Sequence, residues 1–314
     1  MDDILTITAN PALDLSTEAP AVVPDRKLRC TAPLVHPGGG GVNVSRAIAN
    51  LGGRSRALVA AGGTTGEELL ALIRGEGLAP EPLGVAHPTR QSVSVRDAAT
   101  GLQYRFMMPG PAWTEADAAA ARAAVLAAVT PGAVVIPSGS FPPGLPVDFF
   151  LQLAPAVAAR GGRVIVDTSG AALERAASAR AGLYVLRMDT VEAEELGGRT
   201  LAELADVADM AEGLRAAGAA EIVMIAAGAQ GTVIASPDWL GLTRPPVVVA
   251  HSLIGAGDSF IGAFAMAVAR GEDAATACAW GTAAAASAVR EPGTRLCQRG
   301  DTERFFAQVE RIAL

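Results

Sequence analysis

At 314 residues, half of them hydrophobic and only 18% charged, the chain has enough apolar surface for a large core and is neither disordered nor fibrous. A formal charge of −7 argues against nonspecific nucleic-acid binding, and no apolar stretch of membrane-spanning length lacks Gly, Pro or charge, so neither partner is expected. Cys30, Cys278 and Cys297 are far apart and suit no disulfide or zinc framework; with Asp2 and Asp3 in place of a signal or transit peptide, a reducing cytoplasm is the expected location.

Along the chain, short β-branched runs predict strands over 4–8, 57–61, 133–136, 163–166, 184–186 and 221–225. Between them, Ala- and Leu-rich patterns predict helices over 41–51, 66–74, 115–129 and 147–160, the third opened by Thr114 as N-cap with Asp117 three residues on. That alternation is the mark of an α/β fold with a mostly parallel sheet covered by helices on both faces. Residues 15–35 and 91–108 break the rhythm. The first stretch is polar and proline-punctuated, and the second alternates around a turn at 98–101, so a small separate β-layer is expected, either as a lid or paired with another subunit.

Two glycine loops open helices. Pro37-Gly38-Gly39-Gly40-Gly41-Val42-Asn43 leaves amides free to meet a ligand, and Asn43 adds a donor and an acceptor for a hydroxylated one; a flexible loop is the plainer reading. Gly255-Ala256-Gly257-Asp258 exposes successive N–H groups to an anion and sets a carboxylate beside them, suited to take a proton from an attacking hydroxyl; a simple N-terminal helix charge is the alternative. No Gly-Lys-Ser/Thr follows, so this is not a Walker P-loop. Basic residues gather on the β-layer: Lys27, Arg29, Arg90 and Arg105 suit a phosphorylated substrate or a solvated surface. Lys27 is the only lysine among 25 basic residues, by chance or because a compact ammonium is needed where a guanidinium does not fit. Ser140, in Ser138-Gly139-Ser140, and Asp167 follow strands whose C-terminal ends face ligands in parallel sheets; a rigid turn and a helix cap are their alternatives.

Asn10-Pro11-Ala12-Leu13-Asp14, the loop from Gly38 to Asn43, the run from Ser138 to Gly144, Asp167 and Gly255 to Asp258 together resemble the PfkB, or ribokinase-like, carbohydrate kinases over essentially the whole chain. The run from Lys27 to Pro33, with Arg90, Tyr104-Arg105-Phe106, Met108-Pro109-Gly110 and Gly293-Thr294-Arg295-Leu296-Cys297, resembles the 6-phosphofructokinase branch of that family. The resemblance implies one ribokinase-like domain over 1–314, a three-layer α/β/α sandwich with a β-sheet lid from about 15–35 and 91–108, dimerising through the lid. It implies transfer of the ATP γ-phosphoryl group to the 1-hydroxyl of fructose 6-phosphate with Mg2+; tagatose 6-phosphate or fructose 1-phosphate are alternative acceptors, and a sugar-phosphate-binding protein with little kinase activity is the alternative of another class.

By the same resemblance, Asp14, Gly38, Gly39, Gly40, Asn43 and Ser140 would hold the sugar, and Arg29, Arg90 and Arg105 its phosphate. Lys27 would meet the migrating phosphoryl group, Gly255, Ala256 and Gly257 form the anion hole, and Asp258 act as base. Arg187, Asp189, Ala226, Gly228, Gly231 and Gly257 would bind nucleotide, and Asp167, Asp189 and Glu192 the metal. The departures lie in that donor half. Arg187-Met188-Asp189-Thr190-Val191-Glu192 stands where the family usually reads Lys-Pro-Asn-x-x-Glu, Ala226 where a Ser or Thr is usual, Leu253 for a Thr, and Glu291 where a neutral residue is common near the purine.

Overall fold

The computed structural model describes residues 2–291 and 295–314; Gly293 and Thr294 of the last motif lie outside the described residues. The chain runs β1 (Ile4–Thr8), β2 (Ala12–Ala19), β3 (Leu34–Gly38), α1 (Gly40–Asn50), β4 (Arg56–Val59), α2 (Gly63–Gly75), β5 (Pro80–Pro82), β6 (Arg90–Asp97), β7 (Gln103–Met107), α3 (Glu115–Ala128) and β8 (Val134–Pro137). It continues through α4 (Ala154–Ala158), β9 (Arg163–Asp167), α5 (Gly170–Ser178), β10 (Leu183–Asp189), α6 (Thr190–Gly197), α7 (Leu204–Ala216) and β11 (Ala220–Ala226). The last elements are β12 (Thr232–Ala235), β13 (Leu240–Arg244), α8 (Ala256–Ala269), α9 (Ala274–Ala288), α10 (Arg299–Phe306) and β14 (Glu310–Ala313).

A ten-stranded sheet has the order β14-β13-β12-β11-β10-β9-β8-β1-β4-β5. Every pairing from β5 to β11 is parallel, and β12, β13 and β14 add an antiparallel meander at one edge. Successive strand residues alternate between two cores, as a sheet buried on both faces requires. Leu5, Ile7, Val135, Val164 and Val166 share one core with Val125 of α3, Val157 of α4, Leu173 of α5 and Ala211 of α7. Ile4, Val134, Ile136 and Ile165 share the other with Val44 and Ile48 of α1 and Phe260, Ile261 and Phe264 of α8. The three-layer α/β/α sandwich is thus present.

The helix expected over 147–160 is much shorter. A 3-10 turn at Leu151–Leu153 precedes α4, because Pro155 has no N–H to donate one turn back and is tolerated only in a helix's first turn. In α3, by contrast, the Thr114 and Asp117 capping box forms as expected.

The small sheet, ordered β3-β2-β6-β7, is wider than 15–35 and 91–108 suggest: β2 begins at Ala12 and β3 runs to Gly38, whereas the polar stretch 20–33 forms no strand. Its hairpin turn is held by the Asp97 carboxylate, whose Oδ1 accepts from the amides of Ala99 at 2.9 Å and Thr100 at 3.3 Å. The register pairs Ala12 with Arg90, Asp14 with His36 and Ser92, and Ser94 with Arg105. A side-chain period of two then sets Asp14, His36, Arg90 and Arg105 on one face, and Leu13, Val35, Val93 and Phe106 on the other.

Two short joins carry this sheet into the body: Ala9 to Pro11 link β1 to β2, and Gly39 links β3 to α1. Gly39 has φ of +119°, which a residue with a side chain rarely adopts. A Cβ on Gly41 would stand 2.6 Å from Thr8 Oγ1 and 2.7 Å from the Ile7 carbonyl oxygen, so α1 rests almost on the backbone of β1. Gly41→Ala is therefore expected to overpack this contact and lower stability by about 1–3 kcal/mol. Urea unfolding reads it, and an unchanged midpoint would mean that the helix has room to move off the strand.

Candidate active site

The C-terminal ends of β1, β8, β9, β10 and β11 and the polar face of the small sheet converge on the first turns of α1 and α8. In an open parallel sheet that edge is where ligands bind. On the small-sheet side, Asp14 sits so close to the glycine loop that a Cβ on Gly38 would lie 2.1 Å from its Oδ2, and one on Gly40 would lie 2.4 Å from Ser138 Oγ. Burial holds the Asp14 carboxyl above its ordinary range against the opposing pull of Arg90, Arg105, His36 and Arg46. Arg90 donates from its Nη1 to the Met108 carbonyl at 3.0 Å and from Nη2 to that of Asn10 at 3.3 Å, while Asn10 Nδ2 donates to Ser140 Oγ at 3.1 Å.

α8 begins at Gly255, whose φ of +76° turns the chain into the helix, and Leu296 fills the space a Cβ there would need. Ser259 N–H closes the first helical bond, to the Gly255 carbonyl, so the amides of Gly257 and Asp258 have no intrahelical acceptor and present positive ends to an anion. Asp258 Oδ2 accepts from Asn43 Nδ2 at 3.0 Å. Its pKa is raised to about 7, first by burial and then by the charge of Asp167; the Asn43 hydrogen bond, Arg187 and Arg46 pull the other way. A carboxyl at that value is poised to accept a proton near neutrality.

On the donor side, Arg187 Nη1 donates to Asp167 Oδ1 at 3.1 Å, joining residues that are cross-strand neighbours on β10 and β9. Its guanidinium lies where a Cβ on Gly257 would come within 3.0 Å of Nη1. Asp189 caps α6: its Oδ1 accepts from the Glu192 amide at 2.9 Å, and Glu192 Oε2 accepts from the Asp189 amide at 2.9 Å. The substitution of Asp for the usual Asn thus keeps a good N-cap. Thr190 Oγ1 donates to the Ala226 carbonyl at 2.9 Å, next to the place where Ala226 lacks a hydroxyl. Gly228 and Gly231, both at positive φ, carry the turn after β11.

The three carboxylates expected to bind metal are not gathered: among the described residues no group of three His, Cys, Asp or Glu side chains could hold an ion. Asp189 is engaged as a cap and Asp167 by Arg187. Burial, with the charges of Asp189 and Asp167, nevertheless holds the Glu192 carboxyl above its ordinary range, and an ion beside it would relieve that repulsion. Such a set fits Mg2+, which keeps several waters and needs only one or two carboxylates beside phosphate oxygens.

Lys27 and Arg29 lie on the exposed stretch between β2 and β3. Arg105 stands on the same face as Asp14, and Ser140 is linked through Asn10 to Arg90. Sequence reasoning gave no role to Arg46, which bonds Asn43; their spacing of three on one helix was the available signal.

The model of the pfkB family carbohydrate kinases matches residues 8–300. The chain is 38% identical to the ATP-dependent 6-phosphofructokinase isozyme 2 of Escherichia coli strain K12, over 98% of this chain and 99% of that one. It is 37% identical to the enzyme of the same name from Mycobacterium tuberculosis, over 96% and 88% of the two chains. The crystal structure of the phosphofructokinase-2 from Escherichia coli in complex with fructose-6-phosphate superposes with a TM-score of 0.90 at 37% identity, covering 98% of this chain and 99% of that one.

The raised pKa of Asp258 has a consequence for stability. Folding favours its protonated form, so ionisation destabilises the fold progressively as pH rises from the ordinary 3.8 to the folded value of about 7, and fully above that. Asp258→Asn removes this effect. In urea unfolding at pH 5 and pH 8, the wild type should lose stability relative to the variant on going to the higher pH; parallel curves would mean that the carboxyl is solvated.

Proposed function

The chain belongs to the pfkB family of carbohydrate kinases, and we propose that it is an ATP-dependent 6-phosphofructokinase, transferring the γ-phosphoryl group of ATP to the 1-hydroxyl of fructose 6-phosphate. The observation that carries the chemistry is Asp258: a carboxylate poised near neutrality, bonded to Asn43, at a helix start whose amides face an anion.

In this reading Asp14, Asn43 and the glycine loop orient the sugar hydroxyls, and Asp258 takes the proton of the attacking one. Arg90 and Arg105, with Arg29 from the exposed stretch, meet the 6-phosphate. Lys27 meets the migrating group as a compact charge. The Gly257 and Asp258 amides, with Arg187 behind them, stabilise the charge that develops on the transferred phosphoryl, so that positioning and electrostatics supply most of the rate. Glu192 and Asp167 would hold magnesium, which would supply charge neutralisation for the phosphates.

The small sheet serves as lid and as dimer contact. Its edge strand β7 is exposed throughout, with Phe106 at 50% and Met107 at 53%, and edges of this kind seek a partner. Sedimentation at micromolar concentration should give the mass of a dimer, and Phe106→Asp a monomer; a wild-type monomer would remove the dimer from the proposal.

A coupled assay over several sugar phosphates and phosphoryl donors should single out fructose 6-phosphate and ATP. In the same assay Asp258→Asn should lose roughly 10² to 10⁴ in turnover, with fructose 6-phosphate affinity held within a few-fold. Turnover near the wild-type value in that variant would overturn the assignment of the base.

A further inference from the structure

Arg46 has no part in the roles just assigned, yet it is the most firmly held charged side chain near the base. It lies three residues after Asn43, on the same face of α1. Nε and Nη2 donate to Glu76 Oε2 at 2.5 Å and Oε1 at 2.9 Å, a bidentate pair with the residue that ends α2. Nη1 donates to Asn43 Oδ1 at 3.2 Å. A chain of hydrogen bonds therefore runs from Glu76 through Arg46 and Asn43 to Asp258. The same guanidinium acts electrostatically on both carboxylates of the acceptor half, Asp14 and Asp258.

An asparagine amide has a donor end and an acceptor end of nearly equal shape. If Asn43 turned over, its carbonyl would face the Asp258 carboxylate and the two would repel. Arg46, a donor that cannot deprotonate, permits only the carbonyl on its own side. Glu76 fixes the guanidinium plane, so Arg46 cannot swing away to solvent. We infer that Arg46, clamped by Glu76, is a positioning residue that keeps the Asn43 NH2 group, and not its carbonyl, facing the base.

The inference rests on the reading of Asp258 as the base and extends it to a pair of residues whose far end is on the surface. Glu76 borders a cavity of about 490 Å³, across which the other charged groups are Glu291 and Arg295. The charged groups acting on Asp258 from the elements around it are Arg46 on α1, Asp167 on β9 and Arg187 on β10.

The test follows the Asp258 carboxyl by 13C NMR titration, its signal identified by its loss in Asp258→Asn, alongside the kinase assay. Arg46→Met should move the Asp258 midpoint to higher pH by about one unit and lower turnover at pH 7 roughly fivefold, with recovery at higher pH. Glu76→Gln should produce a smaller shift in the same direction, and Arg46→Lys should restore most of the midpoint. A lowered melting temperature with an unmoved midpoint would make Arg46 a purely structural residue and overturn the inference. Should Arg46→Met fail to fold, an unmoved midpoint in Glu76→Gln would overturn it equally. The titration needs no turnover, so an inactive wild type would sink the kinase reading while a shifted midpoint upheld the positioning role.

Discussion

Gly257 and Asp258 are adjacent in the first turn of α8, and they touch opposite halves of the site. The backbone at Gly257 lies against the Arg187 guanidinium of the donor half, while the Asp258 carboxylate is held by Asn43 of the acceptor half. Little slack separates the halves across one rigid helical turn. That turn is itself fixed from behind: a Cβ on Gly262 would lie 3.1 Å from both Ala47 Cβ and the Val44 carbonyl oxygen of α1, and one on Gly281 would lie 2.8 Å from the Phe260 ring. Small residues at these crossings let α1, α8 and α9 approach almost backbone to backbone, and the spacing of Asn43 from Asp258 follows from it.

The charges are arranged to suit that closeness. Asp167 is paired with Arg187 and Asp189 caps the start of α6, while Asp14 lies in the field of the small sheet's arginines. Asp258 is held differently: among the described residues, the side-chain donor bonded to it is the neutral Asn43 amide. Burial and the charge of Asp167 outweigh its favourable neighbours and raise its pKa to about 7, whereas for Asp14 and Glu192 burial sets only the same upward direction. Arg187 in place of the family's usual lysine fits the same scheme, since its reach to Asp167 across β9 and β10 leaves the face of the guanidinium beside the helix start.

Much of this could be read from residue order alone, where the signal was local. The β-branched runs marked the parallel strands, Thr114 with Asp117 marked a capped helix, and the two glycine loops marked the helix starts that form the site. One misreading was local, and the others depended on partners distant in sequence. Pro155 decided the length of α4 through a bond it cannot make. The edges of the small sheet were misplaced because Ala12 pairs with both Gly38 and Arg90, each distant in sequence. Glu76, 30 residues from Arg46, gave no cue at all. Asp189 and Glu192 stand at capping-box spacing, a local signal that the structure shows as two reciprocal hydrogen bonds.

The lone lysine has a practical bearing. Lys27 is exposed, lies on the stretch that links the inner strand β2 to the edge strand β3, and carries the only ε-amine in the 314 residues. An amine-directed dye would label that loop and, beyond it, only the chain's own α-amine. A protease that cuts after lysine would likewise have a single target bond. The protein therefore carries a built-in reporter of how accessible this stretch of the small sheet is, one whose rate of modification can be followed without engineering a new attachment point.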